Sequence, residues 1–88
     1  STVLKSVGNE RRLLILCQIV AHGEMSVGGL EKELDLSQSA LSQHLARMRA
    51  DGILDTRRDG LTIYYRIADP RIEDLMSTLY GLYCGRPE

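Results

Sequence analysis

A chain of 88 residues has room for one domain, and its 43% hydrophobic and 26% charged residues are the composition of a soluble globular protein. No apolar run approaches the roughly 18 residues that a membrane-spanning helix needs. Because the N-terminus also has no signal-peptide pattern, we expect a cytoplasmic protein. The first residue is Ser1 and not Met, so we expect the numbering to begin inside a longer gene product or after processing.

Charge alone leaves two interpretations of the surface open. The formal net charge of −1 is low for a nucleic-acid-binding domain. Five arginines nevertheless fall between residues 44 and 66, together with acidic residues. They can form either a local basic face or a solvated surface of mixed charge.

The chain opens with predicted helices. Residues 3–7 predict the end of a helix, which Gly8 breaks. Asn9 is a suitable N-cap for the next helix, because its side-chain oxygen can accept an unpaired N–H of the first turn. Residues 13–20 are apolar almost without interruption, which predicts a central core helix buried on most sides. Gly23 is a suitable residue for its end.

Two helices joined by a short turn follow. Ser26 can cap a short helix to about residue 34, and Ser37 can cap a longer helix to about residue 50. In the longer helix Leu41, Leu45 and Met48 form the inward stripe. At about 100° per residue, the opposite face is polar and consists of Ser39, Ser42, Gln43 and Arg47.

A β-hairpin and a last helix complete the chain. Residues 53–58 and 61–67 predict two strands, since they are rich in β-branched and aromatic residues. Asp59 and Gly60 between them predict a type I′ turn, in which both central residues have positive φ. Asp69 as N-cap and Pro70 as first helical residue predict the start of the last helix. Its apolar stripe is Ile72, Leu75, Met76, Leu79, Leu82 and Tyr83.

This order predicts a single domain over residues 1–88 that is mainly α with a small β-hairpin, a winged helix-turn-helix. A helix of this kind fits the major groove of DNA, and the hairpin beside it can reach the backbone or the minor groove. Hydroxyls, amides and arginines suit base edges and phosphates. The candidate DNA contacts are Ser37, Gln38, Ser39, Ser42, Gln43 and Arg47 on the helix, and Arg57, Arg58 and Thr62 on the hairpin.

Other interpretations are open at several positions. The polar helix face can be an ordinary solvated surface, and the hairpin charges can simply block pairing at the strand edge. His44 is expected to be a hydrogen-bonding residue at the core edge. Tyr64 and Tyr65 alternate across the strand, so one should pack inward. A winged helix used for protein contacts is a rival function. An enzyme is not expected, because no catalytic arrangement can be argued.

The residues just described resemble the ArsR/SmtB family of bacterial regulators over nearly the whole chain. The resemblance is carried by residues 9–13 (NERRL), 15–17 (ILC), 36–49 (LSQSALSQHLARMR) and 51–54 (DGIL), with Tyr64 and Tyr65 later. It implies a homodimer formed mainly by the first and last helices, which binds an imperfect palindrome in promoter DNA. Members usually repress transcription until an inducer binds.

The metal-sensing patterns of that family are missing here. Arsenic and cadmium sensors carry a Cys-x-Cys where this chain has Ser26 and Gly28, and neither residue supplies a soft thiolate. Zinc sensors use four ligands of the last helix; Asp69 matches the first, but the other positions hold Arg71, Leu82 and Gly85. One oxygen ligand does not make a zinc site. We therefore expect no metal and no cofactor.

The two cysteines, Cys17 and Cys84, occupy the positions used by the BigR, SqrR and HlyU-like branch of the family. That resemblance implies a redox or reactive-sulfur sensor in which the two cysteines become linked. From the residues alone, two buried thiols serving as small hydrophobic side chains are the expected interpretation. A repressor is expected, and an activator or anti-silencer is the alternative.

Overall fold

Four helices and three short strands make up residues 10–79, the part of the chain that the computed structural model describes. In chain order the elements are helix α1 (Glu10–His22), strand β1 (Met25–Ser26), helices α2 (Val27–Glu33) and α3 (Gln38–Ala50), strands β2 (Leu54–Asp59) and β3 (Thr62–Ile67), and helix α4 (Pro70–Leu79). The predictions for residues 3–9, and for Leu82, Tyr83 and Cys84, lie outside the described residues.

Helix α1 lies in the core, as its apolar run predicts. Ile15, Leu16 and Ile19 have no exposed surface, and Cys17 is 1% exposed. They join one hydrophobic cluster that also takes in the buried side chains of α2, α3, β2 and α4. A helix with apolar residues on most of its sides can bury those side chains only if neighbouring elements cover it on several sides.

The two predicted serine caps are confirmed. The hydroxyl of Ser26 accepts a hydrogen bond from the backbone N–H of Gly29 at 3.1 Å. The hydroxyl of Ser37 accepts one from Ala40, also at 3.1 Å. Each hydroxyl satisfies an N–H that has no partner inside its own helix, and this sets where α2 and α3 begin.

The hairpin prediction is confirmed in its strands and wrong in its turn. Asp59 pairs with Thr62, so the two loop residues are Gly60 and Leu61. Gly60 has φ of 65°, and no residue other than glycine has positive φ within residues 10–79. These signs of φ belong to a type II′ turn. The physical reason is that a type I′ turn would require a second residue with positive φ, which costs a residue with a Cβ free energy.

A third strand extends the hairpin and was not predicted. Strand β1 pairs antiparallel with β3, which gives the strand order β1-β3-β2. Met25 lies opposite Tyr65, and Ser26 lies opposite Tyr64. Two residues are too short a stretch for an alternating pattern to be recognised in the sequence. Through β1, the helix-turn-helix is joined directly to the sheet.

Helix α4 begins as predicted. The side chain of Asp69 accepts a hydrogen bond from the backbone N–H of Arg71 at 2.9 Å. Pro70 is the first helical residue, where its missing N–H costs nothing. Ile72 and Met76 are buried in the core, so the apolar stripe of this helix faces inward within the described residues.

Two glycines give a matched test of the backbone. Gly60→Ala should destabilise the fold by about 1–2 kcal/mol, because alanine disfavours positive φ. Gly28→Ala should instead stabilise it by about 0.5 kcal/mol, because a Cβ there meets nothing within 4 Å and the unfolded chain loses freedom. Urea unfolding followed by circular dichroism measures both. Equal stability of Gly60→Ala and the parent chain would contradict the turn geometry.

Candidate nucleic-acid interface

One face of α3 is buried and the other is exposed and polar. Leu41, Leu45 and Met48 have no exposed surface. The candidate contacts all lie on the exposed side or at its start, namely Ser37, Gln38, Ser39, Ser42, Gln43 and Arg47. The structure therefore brings every helix residue of the predicted interface onto one accessible surface. Since α3 has 13 residues, this surface is about 20 Å long.

Arg47 has a partner at the C-cap of α3. Its Nε lies 3.4 Å from the carboxylate of Asp51, one turn further on. The Arg47 side chain is nevertheless 65% exposed. The Asp51 side chain is only 14% exposed, so the guanidinium is the accessible member of the pair and can be reached by another anion.

The two hairpin arginines occupy opposite faces of the sheet, because successive residues of a strand alternate. Arg57 lies opposite Tyr64, and Arg58 lies opposite Ile63. Arg58 and Thr62 are exposed, and among residues 10–79 no carboxylate forms an ion pair with Arg58. Arg57, in contrast, forms an ion pair within the protein, so the two predicted phosphate contacts lie in different environments.

The partner of Arg57 is Glu24. The guanidinium donates through Nε to one carboxylate oxygen at 3.0 Å and through Nη2 to the other. This hydrogen-bonded pair holds the pKa of the Glu24 carboxyl below its usual range. The ring of Tyr64 lies beneath the guanidinium, with 4.8 Å between the ring centroid and Cζ of Arg57. Sequence reasoning missed Glu24, because it lies 33 residues from Arg57 and no local pattern marks it.

The two tyrosines separate as their alternation predicts. Tyr65 packs against the hydrophobic core, and Tyr64 lies on the opposite face under Arg57. At the hairpin tip, Leu61 is 99% exposed and is the most exposed large apolar side chain of the described residues. Sequence reasoning assigned Leu61 to a strand and gave it no role.

His44 is a hydrogen-bonding residue at the core edge, as predicted. The Arg12 side chain donates from Nε to Nδ1 of His44 at 3.3 Å, which links α1 to α3. Partial burial, with Arg12 and Arg11 nearby, lowers the pKa of His44 from its ordinary 6.5. The neutral ring is therefore the form that the folded chain favours.

The positions compared with metal sensors have other roles in this chain. Ser26 caps α2, and Asp69 caps α4 while also pairing with the Arg71 guanidinium at 2.7 Å. Within residues 10–79 no three His, Cys, Asp or Glu side chains are grouped as a metal ion would require. Of the two cysteines, Cys17 is buried in the core and Cys84 lies outside the described residues.

An exposed polar helix next to an arginine-bearing hairpin defines the winged helix-turn-helix class of transcription regulators. The family described as "Bacterial regulatory protein, arsR family" matches residues 9–56. The transcriptional activator HlyU of Vibrio cholerae is 46% identical over 93% of this chain and 75% of its own length. The biofilm growth-associated repressor of Agrobacterium fabrum is 42% identical over 98% of this chain and 73% of its own length.

Solved structures agree with the sequence comparison. HlyU from Vibrio cholerae superimposes with a TM-score of 0.87 at 45% identity, covering 96% of this chain and 90% of that one. The repressor BigR from Xylella fastidiosa superimposes with a TM-score of 0.81 at 35% identity, covering 97% and 86%. The chain belongs to the arsR family of bacterial regulatory proteins, and it is similar to HlyU and BigR within that family.

Membership in this family defines the broad activity. The family and these relatives are regulators of transcription, so the chain is a DNA-binding regulator and not an enzyme. No helix within residues 10–79 is both long and apolar enough to cross a bilayer.

The lowered pKa of His44 predicts how stability depends on pH. Below pH 6.5 the unfolded chain binds a proton at this residue more readily than the folded chain does, so the free energy of unfolding should fall as the solution is acidified. We expect His44→Asn to reduce the loss of stability between about pH 7.5 and pH 5.5. Urea unfolding at the two pH values measures this loss in the free energy of unfolding.

His22→Asn is the control, because His22 is exposed at the end of α1. Both measurements stay above the range in which the hydrogen-bonded carboxyls of Glu24 and Asp69 titrate, since the pKa of each is lowered below its ordinary value. An equal loss of stability in the His44 variant and the parent chain would show that another group is responsible.

Proposed function

We propose that the chain acts as a homodimer that binds an imperfect palindrome in promoter DNA, with the two copies of α3 in successive major grooves. The observation that carries this proposal is the exposed polar face of α3 opposite its fully buried stripe. Two such helices related by a two-fold axis would meet half-sites about 34 Å apart. A net charge of −1 is compatible with this, because affinity depends on the local charge of the contacting surface.

Within this proposal the residues of the interface have distinct tasks. Gln43, together with Ser39 and Ser42, lies on the outward side of α3 and contacts base edges. Ser37 and Gln38 lie at the helix start, where phosphate groups are favoured by the N-terminal N–H groups. Arg47 exchanges Asp51 for a phosphate or a guanine edge. On the hairpin, Arg58 and Thr62 contact the backbone.

The test is a comparison of specific and non-specific affinity. The wild-type chain first selects a duplex from a random-sequence pool, and fluorescence anisotropy then measures its affinity for that duplex and for a scrambled one. Gln43→Ala should reduce the difference in binding free energy between the two duplexes by about 1–3 kcal/mol, because a base contact is lost.

Arg49→Ala is the matched control on the same helix. Arg49 is exposed in the last turn of α3, beyond the residues assigned to base edges, so its loss should weaken both duplexes alike and leave the difference unchanged. If the wild-type chain selects no duplex, or Gln43→Ala discriminates as well as the parent chain, the assignment of α3 as the reading helix is wrong.

We further propose that the regulator is a repressor switched by oxidation of Cys17 and Cys84. A thiolate attacks the outer sulfur of a low-molecular-weight persulfide, takes that sulfur and releases a thiolate. The second cysteine attacks the first cysteine's own sulfur, which forms the disulfide and releases hydrosulfide. Two protein thiols are oxidised, and one persulfide is reduced to a thiol and hydrogen sulfide.

One observation supports the switch, and a second bears on whether the regulator represses or activates. Cys17 lies in the core helix, so a bond formed there would act directly on the packing of the domain. The similar proteins include the biofilm growth-associated repressor of Agrobacterium fabrum and the repressor BigR, whereas HlyU is named an activator. An activator therefore remains the second candidate, and a promoter fusion in cells with and without the regulator separates the two.

The switch is tested on DNA. Treatment of the wild-type chain with a persulfide donor should weaken its affinity for the selected duplex at least tenfold, about 1.4 kcal/mol. Cys17→Ser and Cys84→Ser should each bind the duplex without responding to the donor. An unchanged affinity in the wild-type chain, or a full response in either variant, would refute the switch and leave DNA binding standing.

A further inference from the structure

The Glu24–Arg57 pair ties the two edges of the sheet together. Glu24 directly precedes β1, which is one edge strand, and Arg57 lies on β2, which is the other. Their side chains meet across β3, over the ring of Tyr64. Backbone hydrogen bonds link each edge strand only to β3, so this pair is a direct side-chain contact between the outer elements.

Glu24 itself is anchored to the helices. Only Gly23, with φ of 86°, separates it from the end of α1. Two residues further on, Ser26 pairs with Tyr64 of β3 and also caps α2. The carboxylate therefore sits on a short connection that is fixed at both ends, and its position follows that of the helix-turn-helix.

Toward the hairpin tip, Arg57 is the last residue of β2 that contacts the segment formed by Glu24 and β1. Beyond Arg57 and Tyr64 the hairpin extends through Arg58 to the tip at Gly60 and Leu61, and β1 pairs with none of these residues. Three residues of strand reach about 10 Å, so a tilt of about 20° at Arg57 would move the tip by roughly 3–4 Å. Arg58 is the first residue beyond Arg57, so the same tilt would move its backbone by about 1 Å, which is enough to weaken a hydrogen bond to a phosphate.

A direct phosphate contact by Arg57 would compete with this arrangement. The guanidinium already uses Nε and Nη2 on a carboxylate, and the aromatic ring covers one of its faces. A phosphate approaching the same group would also meet the negative charge of Glu24. Arg58, on the opposite face of the strand, has no such neighbour among residues 10–79.

We propose that Arg57 is a positioning residue, which with Glu24 and Tyr64 sets the angle of the hairpin against the helix-turn-helix, and that Arg58 is the phosphate contact. This inference rests on the proposed binding of duplex DNA. Bidentate pairing of an arginine with a carboxylate fixes direction as well as distance, which is what a positioning contact requires.

A double-mutant cycle on the duplex selected by the wild-type chain tests it. Glu24→Ala and Arg57→Ala should each weaken binding about two- to fivefold, as expected for one exposed contact. The double variant should bind no more weakly than the weaker single variant, because each change removes the same contact. The exchange of the two residues, Glu24→Arg with Arg57→Glu, should recover most of the affinity.

Salt dependence separates positioning from phosphate binding. Arg58→Ala should lower the slope of log affinity against log salt by about 0.9 per subunit, because a phosphate contact is lost. Glu24→Ala and Arg57→Ala should leave that slope unchanged while increasing hydrogen exchange in β2 and β3. The inference would be overturned if Arg57→Ala lowered the salt slope as much as Arg58→Ala does. It would also be overturned if the losses of affinity in Glu24→Ala and Arg57→Ala added up in the double variant, or if Glu24→Ala bound the duplex more tightly. If the wild-type chain binds no duplex, the proposed function fails instead.

Discussion

The complete burial of Leu41, Leu45 and Met48 is the constraint on which the candidate interface depends. These side chains lie on one side of α3 and join the same cluster as the apolar residues of α1 and α4. A helix can be rotated about its axis only if such a stripe leaves the core, which costs about 1.5–3 kcal/mol for each large side chain. Burial of this stripe therefore determines which residues of α3 face solvent.

The hairpin is held by a different set of contacts. Its strands pair with each other by backbone hydrogen bonds, and β1 joins them to the helix-turn-helix. Ser26 belongs to both parts, because it pairs with β3 and caps α2. The position of the hairpin relative to α3 is thus a property of the whole domain and is not set by either part alone.

Helix α1 connects the proposed switch to the proposed reading surfaces. It carries Cys17 in the core and Arg12 against His44 of α3, and it ends two residues before Glu24. A displacement of this helix would reach α3 through one contact and the hairpin through the other. Contacts of this type, which both sites share, can carry coupling between a sensor and a DNA-binding surface.

The sequence by itself determined the order and type of the main elements, since apolar periodicity, the serine and aspartate caps and the glycine turn are all local signals. It also identified the polar face of α3, because that face follows from helical spacing once the stripe is known. It placed the hairpin turn one residue too early, since the choice of residues with positive φ depends on how the strands pair.

Only the tertiary structure decided the different environments of Arg57 and Arg58. The two residues are adjacent and chemically identical, and nothing in the local sequence separates them. The alternation of the strand places Arg57 next to Glu24, a residue that lies 33 positions away and is brought close by a two-residue strand. Local patterns record the conformation of a segment, whereas a contact between distant segments exists only after the chain has folded.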